Sequence, residues 1–438
     1  MKAKKLELLN FRTPAMRAFH MTWLAFFVCF FGWFGVAPLT PLLRDEFHLS
    51  KAQLGNAMIA SVAATVFARL AIGWLCDRFG PRRVYVGLLA IGSLPVFGIG
   101  LAHGYTGFLI GRLLIGAIGA AFVITQYHTS VMFAPNVVGT ANATAAGWGN
   151  LGGGVAQVVM PLLVTGLLAL GCSTAHAWRL AMVVPATLML VLAVLYGKLT
   201  QDDPSGNRGT SSENSRSEVR KVNTFLIAAR DPRAWALALM YGACFGVELT
   251  IHNVAALYYR DRFGVGLAGA GLIAGSFGGL ALFARALGGI AGDRAGMRFG
   301  LKGRVSLLGI MLFAEGVLLA AFSQIGSLPL AVVAMIAFGL FVHMAAGATY
   351  SVVPFVNRRA VGSVAGIVGA GGNAGAVLAG LLFRSEQLST QTGLLCLGGA
   401  VIVSSGASLL FRFEETAEQT GRGEAEASQT GHSAVPAE

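Results

Sequence analysis

The chain has 438 residues, of which 55% are hydrophobic and only 12% are charged. A soluble globular protein carries roughly 25% charged residues, so this composition excludes a soluble protein and indicates a polytopic membrane protein. The formal net charge of +12 can indicate a nucleic-acid partner. Here the basic residues are better explained by a membrane surface, and we predict no nucleic-acid partner.

Twelve apolar segments are long enough to cross a bilayer, which takes about 20 residues per helix. They lie near 21–43, 54–76, 84–102, 106–133, 138–169, 177–198, 232–258, 267–292, 303–323, 327–353, 360–383 and 391–412. A polar Ser- and Gly-rich stretch separates the sixth from the seventh, and an acidic stretch follows the twelfth. We therefore predict an all-α membrane protein with a six-helix bundle at 1–198, a cytoplasmic linker at 199–231, a second six-helix bundle at 232–412 and a disordered cytoplasmic tail at 413–438.

The basic residues predict the orientation of these spans. Most of the 32 lysines and arginines fall on the side of the membrane that holds the N-terminus. The opposite side holds only Arg44, Lys51, Arg179, Arg260, Arg262 and Arg384. This bias predicts that both termini are cytoplasmic, in an inner or plasma membrane. The N-terminal segment lacks the features of a cleaved signal peptide, so we interpret the first apolar run as a span.

Span 2 carries an arginine within an apolar run, and the same pattern recurs in span 8. The stretch FARLAIGWLCDRFG at 67–80 aligns without gaps with FARALGGIAGDRAG at 283–296. Both copies hold an arginine, Arg69 or Arg285, eight residues before an Asp-Arg pair. At 1.5 Å per residue this offset is a depth of ~12 Å, which is close to the middle of a core ~30 Å thick.

A second repeat lies on spans 5 and 11. GWGNLGGG at 147–154 is echoed by GAGGNAGA at 369–376, and each places one asparagine, Asn150 or Asn373, among glycines. Two echoes at nearly one offset indicate a duplicated architecture of six plus six spans. In transporters built from such parallel halves, the substrate binds between the halves near the midplane.

These motifs resemble those of a known family. The Gly-x-x-x-Asp-Arg segments of the first repeat resemble the loop motif of the major facilitator superfamily, and GRLLIG at 111–116 resembles its span-4 motif. AAGWGNLGGGVAQ and GIVGAGGNAGA resemble the two signature motifs of its nitrate/nitrite porter family, and FGVELTIHN at 245–253 is most similar to the high-affinity nitrate transporters. The resemblance covers all twelve spans and implies the major facilitator fold.

The resemblance also implies a substrate site. It carries the family's two substrate arginines, an asparagine and several aromatic residues onto Arg69, Arg285, Asn150, Tyr241, Phe245, Phe122 and Tyr350. We add Asn373, the counterpart of Asn150, because it lies at a similar predicted depth. The aromatic side chains are expected to sandwich a flat ion and exclude water, although most phenylalanines in membrane helices only pack.

Two explanations of the buried arginines remain open. A charge in the membrane centre costs ~2.5 kcal/mol or more on insertion scales, so each arginine needs a partner. That partner is a buried acid or an anionic substrate. The acids within the spans are Glu248, two turns beyond Tyr241, and Glu315, which we expect to be peripheral. Because two cations in one cavity call for an anion, we favour nitrate, whose planar oxygens suit the arginine fork.

The remaining motif residues have predicted roles in packing and gating. We favour helix packing over backbone contact with nitrate for the glycines Gly147, Gly149, Gly152, Gly153, Gly371 and Gly372. A cytoplasmic latch between conformations is predicted for Asp77, Arg78, Asp293 and Arg294. We expect a structural role for Arg112, which lies near the outer end of span 4.

The sequence predicts a secondary active transporter that imports nitrate, and nitrite as well, by alternating access. We favour proton symport, with Glu248 and His252 as candidate proton-coupling residues. The alternatives are a nitrate/nitrite antiporter and a transporter of another small anion. A membrane redox enzyme is disfavoured because no His or Cys pairs at ligand spacing occur. We therefore predict no enzymatic activity, cofactor or metal, and a functional monomer whose partners are nitrate, nitrite, protons and the lipid bilayer.

Overall fold

The computed structural model describes residues 2–134, 137–207, 224–357 and 360–411. Part of the predicted linker, 208–223, and the predicted tail at 413–438 lie outside the described residues. The described chain is nearly all helical. Its helices are α1 (Pro14–Phe34), α2 (Thr40–Phe47), α3 (Lys51–Phe79), α4 (Pro81–Gly98), α5 (Tyr105–Gly116), α6 (Ala121–Met132), α7 (Val138–Ala169), α8 (Thr174–Leu199), α9 (Thr224–Ala229), α10 (Pro232–Phe263), α11 (Leu267–Gly279), α12 (Ala284–Gln324), α13 (Leu328–Val356), α14 (Val361–Arg384) and α15 (Thr390–Ser405).

Eleven helical stretches of the described chain are long and apolar enough to cross a membrane. The longest, Leu267–Gln324, has 58 residues and as one straight helix would span ~87 Å, about three times the hydrocarbon core. Gly300 interrupts it with a non-helical φ of 62°, and Asp293 accepts a hydrogen bond from Arg304 across this break at 2.5 Å. The stretch therefore crosses twice, which accounts for the predicted spans 8 and 9.

Polar capping residues set several helix ends. Ser50 and Gln53 form a capping box at the start of α3, and Ser173 and Ser389 accept backbone N–H groups at the starts of α8 and α15. Such caps satisfy backbone donors that the first turn of a helix leaves free. The predicted start of span 1 at residue 21 is too late, because α1 begins at Pro14, where Thr13 caps it.

The predicted halves meet along two helix pairs, α3 with α14 and α7 with α11. A Cβ on Gly55 of α3 would lie 2.5 Å from the Cα of Arg384 on α14, and one on Gly154 of α7 would lie 2.7 Å from the carbonyl carbon of Gly278 on α11. Side chains larger than glycine would force these backbones apart. This close approach brings α3 and α12, which carry the two repeated arginines, to the same interface.

Glycines also let α7 pack closely on α1. A Cβ on Gly149 would clash with the ring of Phe26 on α1, and a Cβ on Gly152 would clash with the backbone carbonyl of Phe27. Phe26 continues into a series of aromatic rings along α1 and meets Phe30 edge to face at a centroid distance of 4.5 Å. These rings pack α7, and with it Asn150, in a fixed position against α1.

Candidate functional site

Arg285 lies at the start of α12 and is buried. Its Nη2 donates to Oε2 of Glu248 on α10 at 2.5 Å. Asn150 of α7 turns its amide oxygen toward the guanidinium, as the surrounding donors require, and accepts from Nη2 at 2.8 Å and Nη1 at 3.1 Å. Of the two explanations that the sequence leaves open, the acid partner therefore holds for Arg285.

Arg69 on α3 has a different environment. Its Nη1 donates to the carbonyl oxygen of Gly369 on α14 at 3.3 Å, and Asn373 donates to the same oxygen at 3.3 Å. Arg69 forms no ion pair with an acid among the described residues, and its buried Nε and the Asn373 Oδ1 have no hydrogen-bond partner there. Arg69 is therefore a cation that the described protein leaves uncompensated.

Aromatic rings form a continuous path between the two arginines. The Arg69 guanidinium lies 5.4 Å from the centre of the first ring, and the Arg285 guanidinium lies 5.7 Å from the centre of the last. Between neighbouring rings the centroid distances are 6.4, 5.3 and 5.1 Å. In order, the path runs through Arg69, Phe122, Tyr350, Tyr241, Phe245 and Arg285. All six were predicted from the sequence, and the tertiary structure brings them together.

The predicted motif glycines lie against protein groups. A Cβ on Gly372 would lie 2.7 Å from the ring of Tyr241 and 2.8 Å from that of Phe245, and a Cβ on Gly371 would clash with the carbonyl of Ala238. On α7, a Cβ on Gly147 would approach the Ala281 carbonyl oxygen, and one on Gly153 would approach Phe34. These close contacts agree with the predicted packing role. A role of the glycines in gating stays a prediction.

Glu248 is fully buried, and its surroundings include a residue that the sequence reasoning missed. His343 of α13 places Nδ1 3.6 Å from Oε2 of Glu248. Its Nε2 faces the carbonyl oxygen of Phe277 at 3.2 Å, so Nε2 carries the ring proton and Nδ1 turns its lone pair toward the carboxylate. No spacing in the sequence links α10 to α13 at these positions.

Two other predicted residues have distinct surroundings. The ring of His252 packs between Phe34 and Phe277, with centroids at 4.9 and 5.6 Å, and its Nδ1 has no partner within the described ranges. The side chain of Glu315 is fully buried, and its expected position away from the substrate site stays a prediction. Helix α12 encloses it because the neighbouring Gly316 packs tightly on Gly398 of α15.

The predicted latch residues lie near the Gly300 break and at the equivalent end of α3. Asp293 pairs with Arg304 of its own half, and Arg294 is exposed. The guanidinium of Arg78 lies 5.3 Å from the ring centres of both Trp74 and Phe79. The side chain of Asp77 lies outside the described part of the chain. A latch between the halves therefore stays a prediction.

Arg112, for which the sequence predicts a structural role, contacts both halves. Its Nη1 donates to the carbonyl oxygen of Trp33 at 3.1 Å, and its Nη2 donates to Oδ1 of Asn253 at 2.7 Å. Asn253 lies on α10, in the other half, and the sequence reasoning did not single it out as the partner. The buried guanidinium thus finds amide and carbonyl acceptors rather than an acid.

A helical bundle of two similar halves, with arginines from both halves near their interface, is the arrangement expected of a membrane transporter. Residues 22–380 match the family model described as the Major Facilitator Superfamily. The chain belongs to this superfamily and, within it, to the nitrate/nitrite porter family. These findings confirm the predicted fold class and family, and they make the protein a transporter rather than an enzyme.

Relatives and solved structures agree with this assignment. High affinity nitrate transporter 2.5 of Arabidopsis thaliana is 41% identical over 421 residues, covering 94% of this chain and 83% of the relative. The nitrate/nitrite transporter NrtP of Nostoc punctiforme is 27% identical, covering 94% and 95%. A bacterial homologue of the human lysosomal transporter Spinster, crystallised in an inward-facing and unoccupied conformation, superposes with a TM-score of 0.72 at 17% identity, covering 92% of this chain and all of that one. This last likeness concerns the fold alone.

Proposed function

We propose that the protein is a secondary active transporter that imports nitrate by alternating access and binds the anion between Arg69 and Arg285. One observation carries the proposal. Matching positions of the sequence repeat supply one arginine from each half, and a path of aromatic rings joins the two. The names of the nitrate-transporting relatives support nitrate as the substrate.

The charges of the site suit a monovalent anion. Arg69 and Arg285 are positive and Glu248, when ionised, is negative, so the site carries one excess positive charge. Two arginines and one carboxylate leave a net charge of one, which a single nitrate neutralises. Nitrite has the same charge and is also planar, so we propose it as a second substrate.

Import of an anion against a negative-inside potential costs ~2.3 kcal/mol per 100 mV, so net uptake needs coupling to a cation. We propose proton symport through Glu248, with His252 as a second candidate. A proton on Glu248 weakens its ion pair with Arg285 and frees that guanidinium for the substrate. The His343 nitrogen 3.6 Å from Glu248 supports this assignment, because it gives the proton a second acceptor next to the carboxylate.

The remaining features of the proposal concern architecture. The moving units are the six-helix halves at 1–198 and 232–412, with both termini and the linker at 199–231 in the cytoplasm. The membrane is an inner or plasma membrane, and one chain suffices for transport. The distribution of basic residues supports this orientation. The cytoplasmic latch at Asp77, Arg78, Asp293 and Arg294 belongs to the same proposal.

The test is nitrate transport by the purified full chain in proteoliposomes at two pH values. We expect nitrate counterflow, and net uptake that an inward proton gradient accelerates. Arg69→Lys and Arg285→Lys keep the positive charge but lose the planar guanidinium that can donate two parallel hydrogen bonds. Each should therefore weaken nitrate affinity about tenfold, equal to ~1.4 kcal/mol. The matched control is Arg83→Lys, because Arg83 is exposed.

Three outcomes would count against parts of the proposal. Intact affinity in both lysine variants would contradict the site. Transport that strictly requires nitrite on the opposite side and ignores pH would replace symport with exchange. Transport of another anion but no nitrate would overturn the substrate.

A further inference from the structure

A third repeat lies outside the motifs that the sequence reasoning used. The tetrapeptide RDEF at 44–47, at the end of α2, recurs as RDRF at 260–263, at the end of α10. The offset between the two copies is 216 residues, the same as that between Arg69 and Arg285. The Arg-Asp pair therefore belongs to the duplication that relates the two halves.

The two copies bind each other reciprocally. Arg44 donates to Asp261 through Nη1 at 2.5 Å and through Nη2 at 2.8 Å. Arg260 donates through Nη2 to Asp45 at 2.8 Å. Each arginine thus pairs with the aspartate of the other copy, and each pair joins one half of the molecule to the other.

These contacts lie at the end of the bundle that the basic residues predict to be the outer face. At this end the backbones of α3 and α14 meet at Gly55 and Arg384, and Lys51 donates to the carbonyl oxygen of Leu388. Within the described ranges, Arg44–Asp261 and Arg260–Asp45 are ion pairs that join the two halves. The outer ends are therefore held together while the site lies deeper between the halves.

We propose that Arg44, Asp45, Arg260 and Asp261 form a reciprocal clasp that positions the two halves in the outwardly closed state and opens once in every transport cycle. The inference rests on the proposed function, because a cycle needs a cargo. The side chains of the clasp are 29–54% exposed. Partly exposed ion pairs are individually weak and are screened by salt, which suits a contact that must break repeatedly.

The charges of the clasp sum to zero, so the closed clasp does not attract and retain an anion that enters at this end. An unpaired arginine at the entrance would hold the anion before it reached the site. Two arginines paired with two aspartates close the entrance without adding positive charge that would compete with Arg69 for the anion. The duplication explains how both pairs form in one state, because the symmetry that relates the halves also relates the pairs.

The test measures access from the outside in proteoliposomes or cells, using the full chain. Ala57 is buried and lines a small cavity next to Asp261, so Ala57→Cys reports opening through its reaction with a membrane-impermeant maleimide, above the reaction of the parent chain. Asp261→Asn and Arg44→Asp should each raise the labelling rate roughly two- to fivefold. The double variant Arg44→Asp with Asp261→Arg restores opposite charges and should return the rate to the parental value.

Two controls separate gating from simple stabilisation. Glu46 pairs with Arg179 inside one half, so Glu46→Gln should leave labelling unchanged. High ionic strength should accelerate labelling of the otherwise intact chain more than that of the Asp261→Asn variant, which keeps only the Arg260–Asp45 pair, and this comparison needs no charge reversal. Unchanged labelling in the single variants and at high salt would overturn the clasp. Absence of nitrate counterflow in the unmodified chain would overturn the proposed function while leaving the labelling result to stand by itself.

Discussion

Arg285 is bound to the carboxylate of Glu248 at 2.5 Å, whereas Arg69, its counterpart in the repeat, has no such partner among the described residues. Two positions that are equivalent in the sequence are therefore unequal in charge balance. Arg285 is held in place by the protein, and Arg69 keeps donor capacity for a ligand. The site combines one compensated and one uncompensated cation.

The first prediction concerns stability. Arg285→Ala leaves Glu248 buried without a partner, which should destabilise the protein by about 3–5 kcal/mol. Arg69→Ala should cost much less, because no described acid depends on Arg69. Adding Glu248→Gln to Arg285→Ala should recover most of the loss. Thermal unfolding in detergent measures all of these variants, and equal losses for the two arginines would contradict the asymmetry.

The second prediction concerns pH. Glu248→Gln keeps the shape of the side chain but cannot release or take up a proton. Nitrate counterflow should persist, while acceleration by an inward proton gradient should disappear. Affinity for nitrate at high pH should increase, because the negative charge of Glu248, which competes with nitrate for Arg285, is gone. Glu248→Asp, which still titrates, is the control and should retain a response to the gradient. A wild-type pH profile in Glu248→Gln would exclude Glu248 from coupling.

The third prediction uses the amide beside Arg285. Asn150→Asp places a second carboxylate where the amide oxygen now accepts from the guanidinium. The excess positive charge of the site then falls to zero, and the half-saturating nitrate concentration should rise by at least about tenfold, or ~1.4 kcal/mol. Asn142→Asp is the control, since Asn142 donates to Ser130 within one half. Nitrate uptake at several concentrations measures the effect, and an unchanged half-saturation would argue against anion binding at Arg285.

The fourth prediction separates two glycines of α14. Gly372→Ala places a Cβ 2.7 Å from the ring of Tyr241, while Gly366→Ala meets nothing within 4 Å. Overpacking of this kind costs about 1–3 kcal/mol, so Gly372→Ala should lower both thermal stability and nitrate uptake. Gly366→Ala should behave like the parent. Similar effects of the two substitutions would mean that helix propensity, rather than the ring path, determines the outcome.

Much of this molecule is predictable from its sequence, for a simple physical reason. A bilayer requires about 20 apolar residues per helix, so the twelve crossings are visible as runs of hydrophobic residues. The duplication is equally visible, and it marks Arg69 and Arg285 as a related pair. The aromatic residues of the path were identified through the family resemblance, because composition alone does not distinguish them from packing residues.

Only the tertiary structure decided which of these residues meet. Glu248 reaches Arg285, Asn150 reaches the arginine of the opposite half, and His343 approaches Glu248. Arg44 binds Asp261 of the other half. Both copies of the tetrapeptide are visible in the sequence, but the sequence does not show that they contact each other. Each contact joins residues on different helices, and helix rotation and close approach at glycines such as Gly154 determine whether their side chains meet. Continuous runs of hydrophobic residues determine which segments cross the membrane, but a partner far away in the chain is chosen only when the helices pack.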